Sequence, residues 1–384
     1  MATTRTLDQV MAAVGMLHGA SLEFEVVDDV LNGGVLCALP ALLVYGLLRH
    51  SRDTFALAEG YYPLETFFVA LALLALARVK SLEALRYEPP GEWGKLLGLD
   101  RIPEVKTLRE KIDQLCGPSG RVRGWSSTLS REWMERNPES VGTVYIDGHV
   151  RVYHGHLTKL PRRYVAREKL CLRGTTDYWV NAMDGQPFFV ATQAADPGLC
   201  AVLMEQIVPR LLVDLPGQPT AAALAADPFW SRFTLIFDRA GYSPQLFADL
   251  KAQRKQTPKH VPMKDLPEAD RFTQLRTDKK HFIDTIKLIA YRAETALMQV
   301  VREKLSHKDE ARAVVRQILD SAVDLRPDKE QKTLTVRLHR LTTAAQDQAL
   351  QHLCAELSET ETVYPGTELR LIYEVIGSNA APSN

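Results

Sequence analysis

The sequence predicts a mixed α/β fold, of the α+β kind, with two or three domains. Apolar residues return every three or four positions over much of residues 31–115, which predicts helices. Alternating apolar and polar residues predict strands from Val141 onward, with hairpin turns at Asp147-Gly148 and Asp184-Gly185. The chain has 384 residues, of which 46% are hydrophobic, so it is long enough to bury more than one core.

We expect three consecutive regions. Residues 1–137 form a helical N-terminal region, 138–305 form a core built on a sheet, and 306–384 form a small C-terminal α/β lobe. The lobe is predicted from a strand, a helix and a second strand in that order, a βαβ-like pattern. The polar stretch between Cys116 and Arg136, which contains glycine and serine, is predicted to be a linker.

The segment WGKLLGLDRIPEVKTLREKIDQL predicts two short helices joined by a tight turn. The second helix starts near Pro103, because proline is favoured in a first turn. It carries Lys106, Arg109 and Lys111, which a helix-turn-helix would direct toward DNA. An ordinary packed helical hairpin explains the same pattern.

Composition excludes several classes of protein. Lys and Arg together equal Asp and Glu, with 47 of each, so the chain as a whole is not a polycation. The five cysteines form no CxxC, which argues against a disulfide framework and favours a reducing, cytoplasmic location. The apolar runs at 35–48 and 67–79 are shorter than the roughly 20 residues that span a bilayer. We expect buried helices there and no membrane partner.

Two aspartates follow apolar strands. Asp147 lies in TVYIDGHVRVYHG and Asp238 in TLIFDRAGYSP, where FTLIF predicts a strand buried on both faces. Acids at the ends of neighbouring core strands could form half of a divalent-metal site for phosphoryl transfer. The alternatives are structural: Asp147-Gly148 is a common hairpin turn, and Asp238 could pair locally with Arg239.

Residues 149–173 are the most basic part of the chain, with seven Lys and Arg against a single glutamate. Such a stretch can hold a DNA backbone, although it is often only a solvated face. The candidate DNA-contact residues in it are Lys159, Arg162, Arg163 and Arg167.

Three histidines, His149, His154 and His156, lie in or beside the same stretch, and the last two are spaced to share one face of a strand. That spacing could bind zinc. No cysteine or acid with ligand spacing completes the set, so a polar or phosphate-facing strand is the preferred interpretation.

Together these segments resemble the DDE-type transposases of bacterial insertion sequences, which are built on an RNase H-like core. The matching stretches are FVALALLALARVKSLEALRYEPPGEWGKLLGLDRIPEVKTLREKI, YIDGHVRVYHGHLTKLPRRYVAREKLCLRGTTDYWVNAMDGQPFFV, TLIFDRAGYSP, HFIDTIKLIAYRAETAL and YPGTELRLIYE. The resemblance implies a sheet-based core whose two aspartates and one glutamate hold Mg²⁺ or Mn²⁺. It identifies Asp147 and Asp238 as the first two acids. It also implies DNA partners (transposon ends and target DNA), a homo-oligomer and a bacterial cytoplasmic location.

The chain departs from this pattern after the second aspartate. The Gln-Glu-Asn segment that supplies the glutamate has no counterpart between Asp238 and Arg271, as though an internal block were absent. Glu294 could substitute as a third acid, and a structural glutamate is the alternative that we favour. We therefore expect a transposase-like DNA-binding protein with impaired catalysis. The alternative is a non-catalytic DNA-binding or assembly protein derived from a transposase.

Overall fold

A computed structural model describes most of the chain. The described residues are 5–117, 120–154, 160–165, 168–192, 197–227, 231–237, 243–253, 268–305 and 307–377, with backbone alone at 252–253, 268–277 and 308–309. Four residues singled out from the sequence lie outside the described residues: Lys159, Arg167, Asp238 and His156.

The described residues form nine strands and fourteen α-helices, in helical and strand-rich stretches that alternate along the chain. The strands are β1 (Val27–Val30), β2 (Thr143–Val152), β3 (Arg162–Val165), β4 (Leu170–Asn181), β5 (Pro187–Ala191), β6 (Thr234–Phe237), β7 (Val323–Asp328), β8 (Thr333–Leu338) and β9 (Arg370–Val375). The helices are α1 (Thr6–Ala13), α2 (Leu39–Val44), α3 (Ser51–Thr54), α4 (Leu64–Leu76), α5 (Pro90–Leu96), α6 (Val105–Leu115), α7 (Arg121–Arg136), α8 (Leu199–Val202), α9 (Val208–Asp214), α10 (Ala221–Ala226), α11 (Pro244–Gln253), α12 (Glu268–Arg302), α13 (Lys308–Asp320) and α14 (Ala344–Glu359). Short 3₁₀ segments occur at Gly33–Ala38, Leu82–Tyr87 and Pro138–Ser140, and a π turn at Leu203–Ile207 links α8 to α9.

The chain forms two compact units. The terminal unit contains Met1–Leu115 and Ile289–Asn384, and the central unit contains Cys116–Leu288. This division differs from the three consecutive regions expected from the sequence. The residues expected to form the N-terminal region and the C-terminal lobe share one sheet, because β1 pairs with β7.

The terminal unit is built on a four-stranded sheet in the order β1-β7-β8-β9. Strands β8 and β9 are parallel and α14 connects them, which confirms the predicted βαβ pattern. Thr343 caps α14, since its side chain accepts a hydrogen bond from the Gln346 backbone N–H at 3.3 Å.

The two apolar runs near the N-terminus are buried in this unit. Phe67, Phe68 and Leu73 of α4 are fully buried, as are Leu36 and Leu39 of the first run. No helix in the described residues combines the length and the apolar character needed to cross a membrane.

A close contact between backbones fixes the position of α13 in this unit. A Cβ built on Gly34 would lie 1.8 Å from the carbonyl oxygen of Ile318, so only glycine fits there. The Gly34 backbone N–H donates to the Ser321 carbonyl at 3.1 Å. The absent side chain lets the 3₁₀ segment approach the end of the helix.

The central unit contains a sheet in the order β3-β4-β2-β6, with β5 also paired to β4. Strand β6 is parallel to β2, and the other pairings are antiparallel. The predicted hairpin between β4 and β5 is confirmed. Gly185 takes a positive φ of 84° in its turn, and the Asp184 carboxylate accepts the Gln186 N–H at 2.9 Å.

Strand β2 overturns the hairpin alternative for Asp147. The strand runs without a turn from Thr143 to Val152, and Asp147 and Gly148 pair in register with Trp179 and Tyr178 of β4. Asp147 is therefore a mid-strand residue, neither a turn residue nor a strand end. The turn preference of Asp-Gly is overridden here because both residues pair with β4 inside a continuous strand.

The linker predicted between Cys116 and Arg136 is wrong, because most of that stretch is helix α7. Trp125, Leu129 and Trp133 recur every four residues and are buried. Trp125 packs against Phe282 of α12 with ring centroids 5.8 Å apart. Tertiary packing stabilises a helix whose polar composition concealed its apolar stripe.

Strand β6 is not buried on both faces as predicted. Thr234 is exposed, Ile236 is 37% exposed, and Leu235 and Phe237 are half-buried. Among the described residues, β6 pairs with β2 alone, so it stands at the edge of the sheet.

Candidate functional site

Asp147 projects from the open face of a central strand. Val144 and Ile146 are buried on one face of β2, whereas Tyr145 and Asp147 are exposed on the other. This alternation follows from the two-residue period of a strand. Trp179, half-buried on β4, lies directly opposite Asp147.

The register of the parallel pair links the two candidate acids. Ile146 of β2 and Phe237 of β6 are the last paired residues of the two strands. Asp147 and Asp238 are the residues that follow them in the sequence. The structure therefore brings together the two residues that precede the acids. It describes one of the acids themselves, Asp147.

The carboxylate of Asp147 makes no ion pair with any residue that the structure describes. The neighbouring acid on the same sheet face, Asp177, is fully buried and bonded to Arg151 and Lys280. Two acids on adjacent strands thus have opposite environments. Asp177 is engaged in structure, and Asp147 is exposed to solvent and available to a ligand.

An ionic cluster built on two buried aspartates, Asp177 and Asp284, holds α12 against the same sheet face. Arg151 of β2 donates from Nε to Asp177 Oδ2 at 2.7 Å, and from Nη2 to the two carboxylate oxygens of Asp284 at 3.0 and 3.2 Å. Lys280 pairs with the other oxygen of Asp177. Lys280 and Asp284, one turn apart on α12, therefore bind two strands of the sheet.

Burial and charge compete within this cluster. Burial raises the pKa of Asp284, and the nearby Arg151 only partly offsets that effect. For Arg151, burial lowers the pKa, but the carboxylates of Asp284 and Asp177 outweigh it, so the net shift is upward. Burial likewise lowers the pKa of Lys287 on α12. The cluster is stable because each charge has a partner of opposite sign.

Helix α12 covers the middle of this face, at Thr175 and Asp177, and leaves Asp147 accessible. Its contacts reach Thr175 and Asp177 of β4, whereas Asp147 and His149 on β2 are exposed. Our sequence interpretation missed the cluster. Its signal was an aspartate, Asp177, in the otherwise apolar strand segment DYWV, because a buried acid requires a partner.

Glu294, the candidate third acid, belongs to the terminal unit. Its carboxylate accepts a hydrogen bond from Arg78 Nη2 at 3.1 Å, and 15% of its side chain is exposed. The contact gives Glu294 a structural partner in Arg78.

The predicted helical pair is present as α5 and α6. Lys106 and Arg109 are exposed on α6, as a DNA-facing set requires. Lys106 is 3.9 Å from Glu110, and Arg109 pairs with Glu83. Exposed pairs of this kind are weak and can exchange for other anions.

Lys111 needs a correction, because the structure turns it inward. The side chain is 9% exposed and donates from Nζ to the Tyr62 carbonyl oxygen at 3.1 Å. Burial lowers the pKa of Lys111. Its role is to hold α6 onto the unit, since its place in the apolar stripe directs it away from solvent.

Arg162 and Arg163 lie on β3, where Arg162 is exposed and Arg163 is half-buried. Consecutive strand residues point to opposite faces, so the two arginines cannot act on one surface. His149 and His154 are exposed, and neither joins a group of potential metal ligands within the described residues.

One such group does occur, in the terminal unit. Ligand atoms of Asp29, Asp324 and His339 lie within 4.8 Å of one another. Each already has a protein partner: His339 Nε2 is 3.1 Å from Asp29 Oδ1, and Asp324 accepts the Asp29 backbone N–H at 3.1 Å. Arg326 lies 3.4 Å from Asp324 and adds a positive charge. These contacts explain the group as a structural connection between strands.

The sequence profile of a family described as "Transposase protein" matches residues 1–251 and 247–377. The chain belongs to this transposase family. Its function is accordingly transposase-like. No curated protein and no solved structure matches the chain. The two matched stretches overlap at residues 247–251, which lie in α11.

Proposed function

We propose that this transposase-family chain binds DNA and cleaves its strands by metal-dependent chemistry of the DDE type, with reduced activity. One observation carries the proposal: Ile146 and Phe237 are paired on parallel strands, and an aspartate follows each in the sequence. The sheet order, with antiparallel β5, β4 and β2 followed by parallel β6, supports an RNase H-like core.

The residues present suit a magnesium ion. Mg²⁺ keeps several water ligands and needs only one or two carboxylates from the protein, and Asp147 offers an exposed one. Asp147 and Asp238 would hold the ion. A bound divalent ion would polarise the scissile phosphate and activate the attacking water or hydroxyl.

The third acid explains why we propose reduced activity. The segment that supplies the family's glutamate is absent from the sequence after Asp238, and the family match is divided nearby at 247–251. Glu294 is bonded to Arg78 in the terminal unit. We therefore leave Glu294 out of the proposed metal site.

Nicking of supercoiled plasmid in Mg²⁺ or Mn²⁺ tests the proposal. Asp147→Asn and Asp238→Asn are each expected to abolish metal-dependent nicking, because each removes one of the two charged ligands that would position the ion against the scissile phosphate. Glu294→Gln is the matched control and is expected to nick like the wild type. Equal nicking by the wild type and both aspartate variants would remove those acids from the reaction.

A second function follows from the same divided match: a non-catalytic DNA-binding or assembly protein that retains the fold. It predicts that DNA binding persists in EDTA, weakens with salt, and is accompanied by no nicking in either metal. Nicking that depends on Asp147 would exclude this second function.

A further inference from the structure

Two arginines stand directly opposite each other where β3 pairs with β4. Arg162 is in register with Arg173, and Tyr164 is in register with Cys171. All four side chains are exposed and, from the two-residue period, share one face. We call this surface the arginine face. Arg163 belongs to the opposite face, opposite Leu172.

No described acidic side chain balances the positive charge of the arginine face. Like charges placed directly across two strands destabilise a sheet. Within the part of the chain that the structure describes, no acidic side chain pairs with Arg162 or Arg173. The sequence around them adds further cations and only Glu168 as an acid. Such a pair is stabilised when an external anion binds between the two guanidinium groups.

The arginine face and Asp147 lie on the same side of the central sheet. Arg173 and Trp179 are six residues apart on β4, so they project to the same face, and Trp179 is opposite Asp147. Six residues of a strand extend about 20 Å. Helix α12 packs on this face between them, at Thr175 and Asp177, so the arginine face is a separate contact surface about 20 Å from Asp147.

We propose that Arg162 and Arg173 together bind the phosphate backbone of duplex DNA. This adds Arg173 to the DNA-binding residues and separates it from Arg163, which faces the other way. The inference rests on the proposed function for its DNA partner. Guanidinium groups bind phosphates in a planar, two-point geometry, which suits a backbone contact that is independent of base sequence.

The test is the salt dependence of binding to a 30-base-pair duplex of arbitrary sequence, measured with the full chain by fluorescence anisotropy. Each phosphate contact contributes about 0.9 to the slope of log affinity against log salt. The double variant Arg162→Ala with Arg173→Ala is expected to reduce the slope by about 2. An unchanged slope would overturn the inference.

Two controls keep the result specific. Arg302→Ala with Lys329→Ala removes the same charge from exposed positions of the terminal unit, and the slope should not change. Arg163→Ala tests the opposite face and should leave the slope within about 0.3 of the wild type, less than one contact. Equal losses in all variants would indicate a general charge effect and would overturn the inference.

Asp147→Asn separates this inference from the proposed function. That variant should lose nicking and keep the wild-type salt slope, whereas the double arginine variant should lose about two contacts. A wild type that binds DNA through both arginines without nicking would refute the proposed chemistry and support the inference. If the wild type nicks DNA but the double arginine variant keeps the wild-type salt slope, the proposed chemistry is supported and the inference about the arginines is refuted.

Discussion

Arg151 of β2 and Asp177 of β4 form an ion pair, with Nε donating to Oδ2 at 2.7 Å. No part of the Asp177 side chain is exposed, and Lys280 of α12 binds its second oxygen. Because Arg151 also holds Asp284 of α12, this pair connects two strands to a helix. The ionic contacts of Asp177 thus mark the part of the sheet face that α12 covers, and Asp147 lies on the exposed part of the same face.

We expect Asp177→Ala to lower the free energy of unfolding by about 2–3 kcal/mol, since it removes the carboxylate bonded by Lys280 and by Arg151, which keeps Asp284 as a partner. Urea titration followed by circular dichroism measures the loss. Asp320→Ala is the control. Asp320 is 52% exposed and pairs with Arg316 on its own helix, so its removal should cost less than about 1 kcal/mol. Comparable losses in the two variants would contradict a structural role for the cluster.

His281 of α12 should make the central unit sensitive to acid. Burial, reinforced by Arg210 and Arg123, lowers the pKa of His281 to about 3. The unfolded chain, with an ordinary histidine pKa of about 6.5, therefore binds the proton more readily. The stability from neutral His281 is complete above pH 6.5 and is lost as the pH falls from about 6.5 toward 3, by up to about 1.4 kcal/mol per pH unit.

His281→Gln should flatten this dependence, because glutamine does not titrate. Urea titrations at pH 7, 6 and 5 measure the difference. Thr285→Val, also on α12, is the control, because it changes a buried polar side chain that does not titrate and should keep the wild-type slope. A wild-type slope that persists in His281→Gln would show that other groups cause the acid sensitivity.

Two glycines should respond in opposite directions to alanine. Gly34→Ala places a methyl group 1.8 Å from the Ile318 carbonyl oxygen, so it should destabilise the terminal unit by at least about 2 kcal/mol. Gly124→Ala lies in α7 with no atom within 4 Å of the added methyl group, and should stabilise the chain by about 0.5–1 kcal/mol. Thermal unfolding of both variants distinguishes them, and a stabilised Gly34→Ala would refute the close contact.

Trp179 should report metal binding without any reaction. It is the cross-strand neighbour of Asp147, and such side chains have Cβ atoms about 4.5–5.5 Å apart. Paramagnetic Mn²⁺ bound at Asp147 should therefore quench Trp179 fluorescence. Trp179→Phe should remove the quenched component, whereas Trp133→Phe, in buried helix α7, should retain it. Quenching that survives Asp147→Asn would place the ion elsewhere.

Local patterns in the sequence predicted the local structure well. The βαβ order around α14 and the hairpin at Asp184-Gly185 are confirmed. Periodicity and turn residues act over a few positions, so they can be recognised without a partner. Helix α7 escaped prediction because Trp125 and Trp133 are too sparse to outweigh its polar composition until they pack against the rest of the unit.

Residue type and order were enough to recognise the two aspartates, the basic stretch and the interrupted family pattern. The tertiary structure was needed to establish that β2 passes straight through Asp147, that Lys111 turns inward, and that Arg162 lies opposite Arg173. It also decided that both ends of the chain share one sheet. These outcomes depend on pairing and burial between residues far apart in the chain, where the gain from shared contacts outweighs local preference.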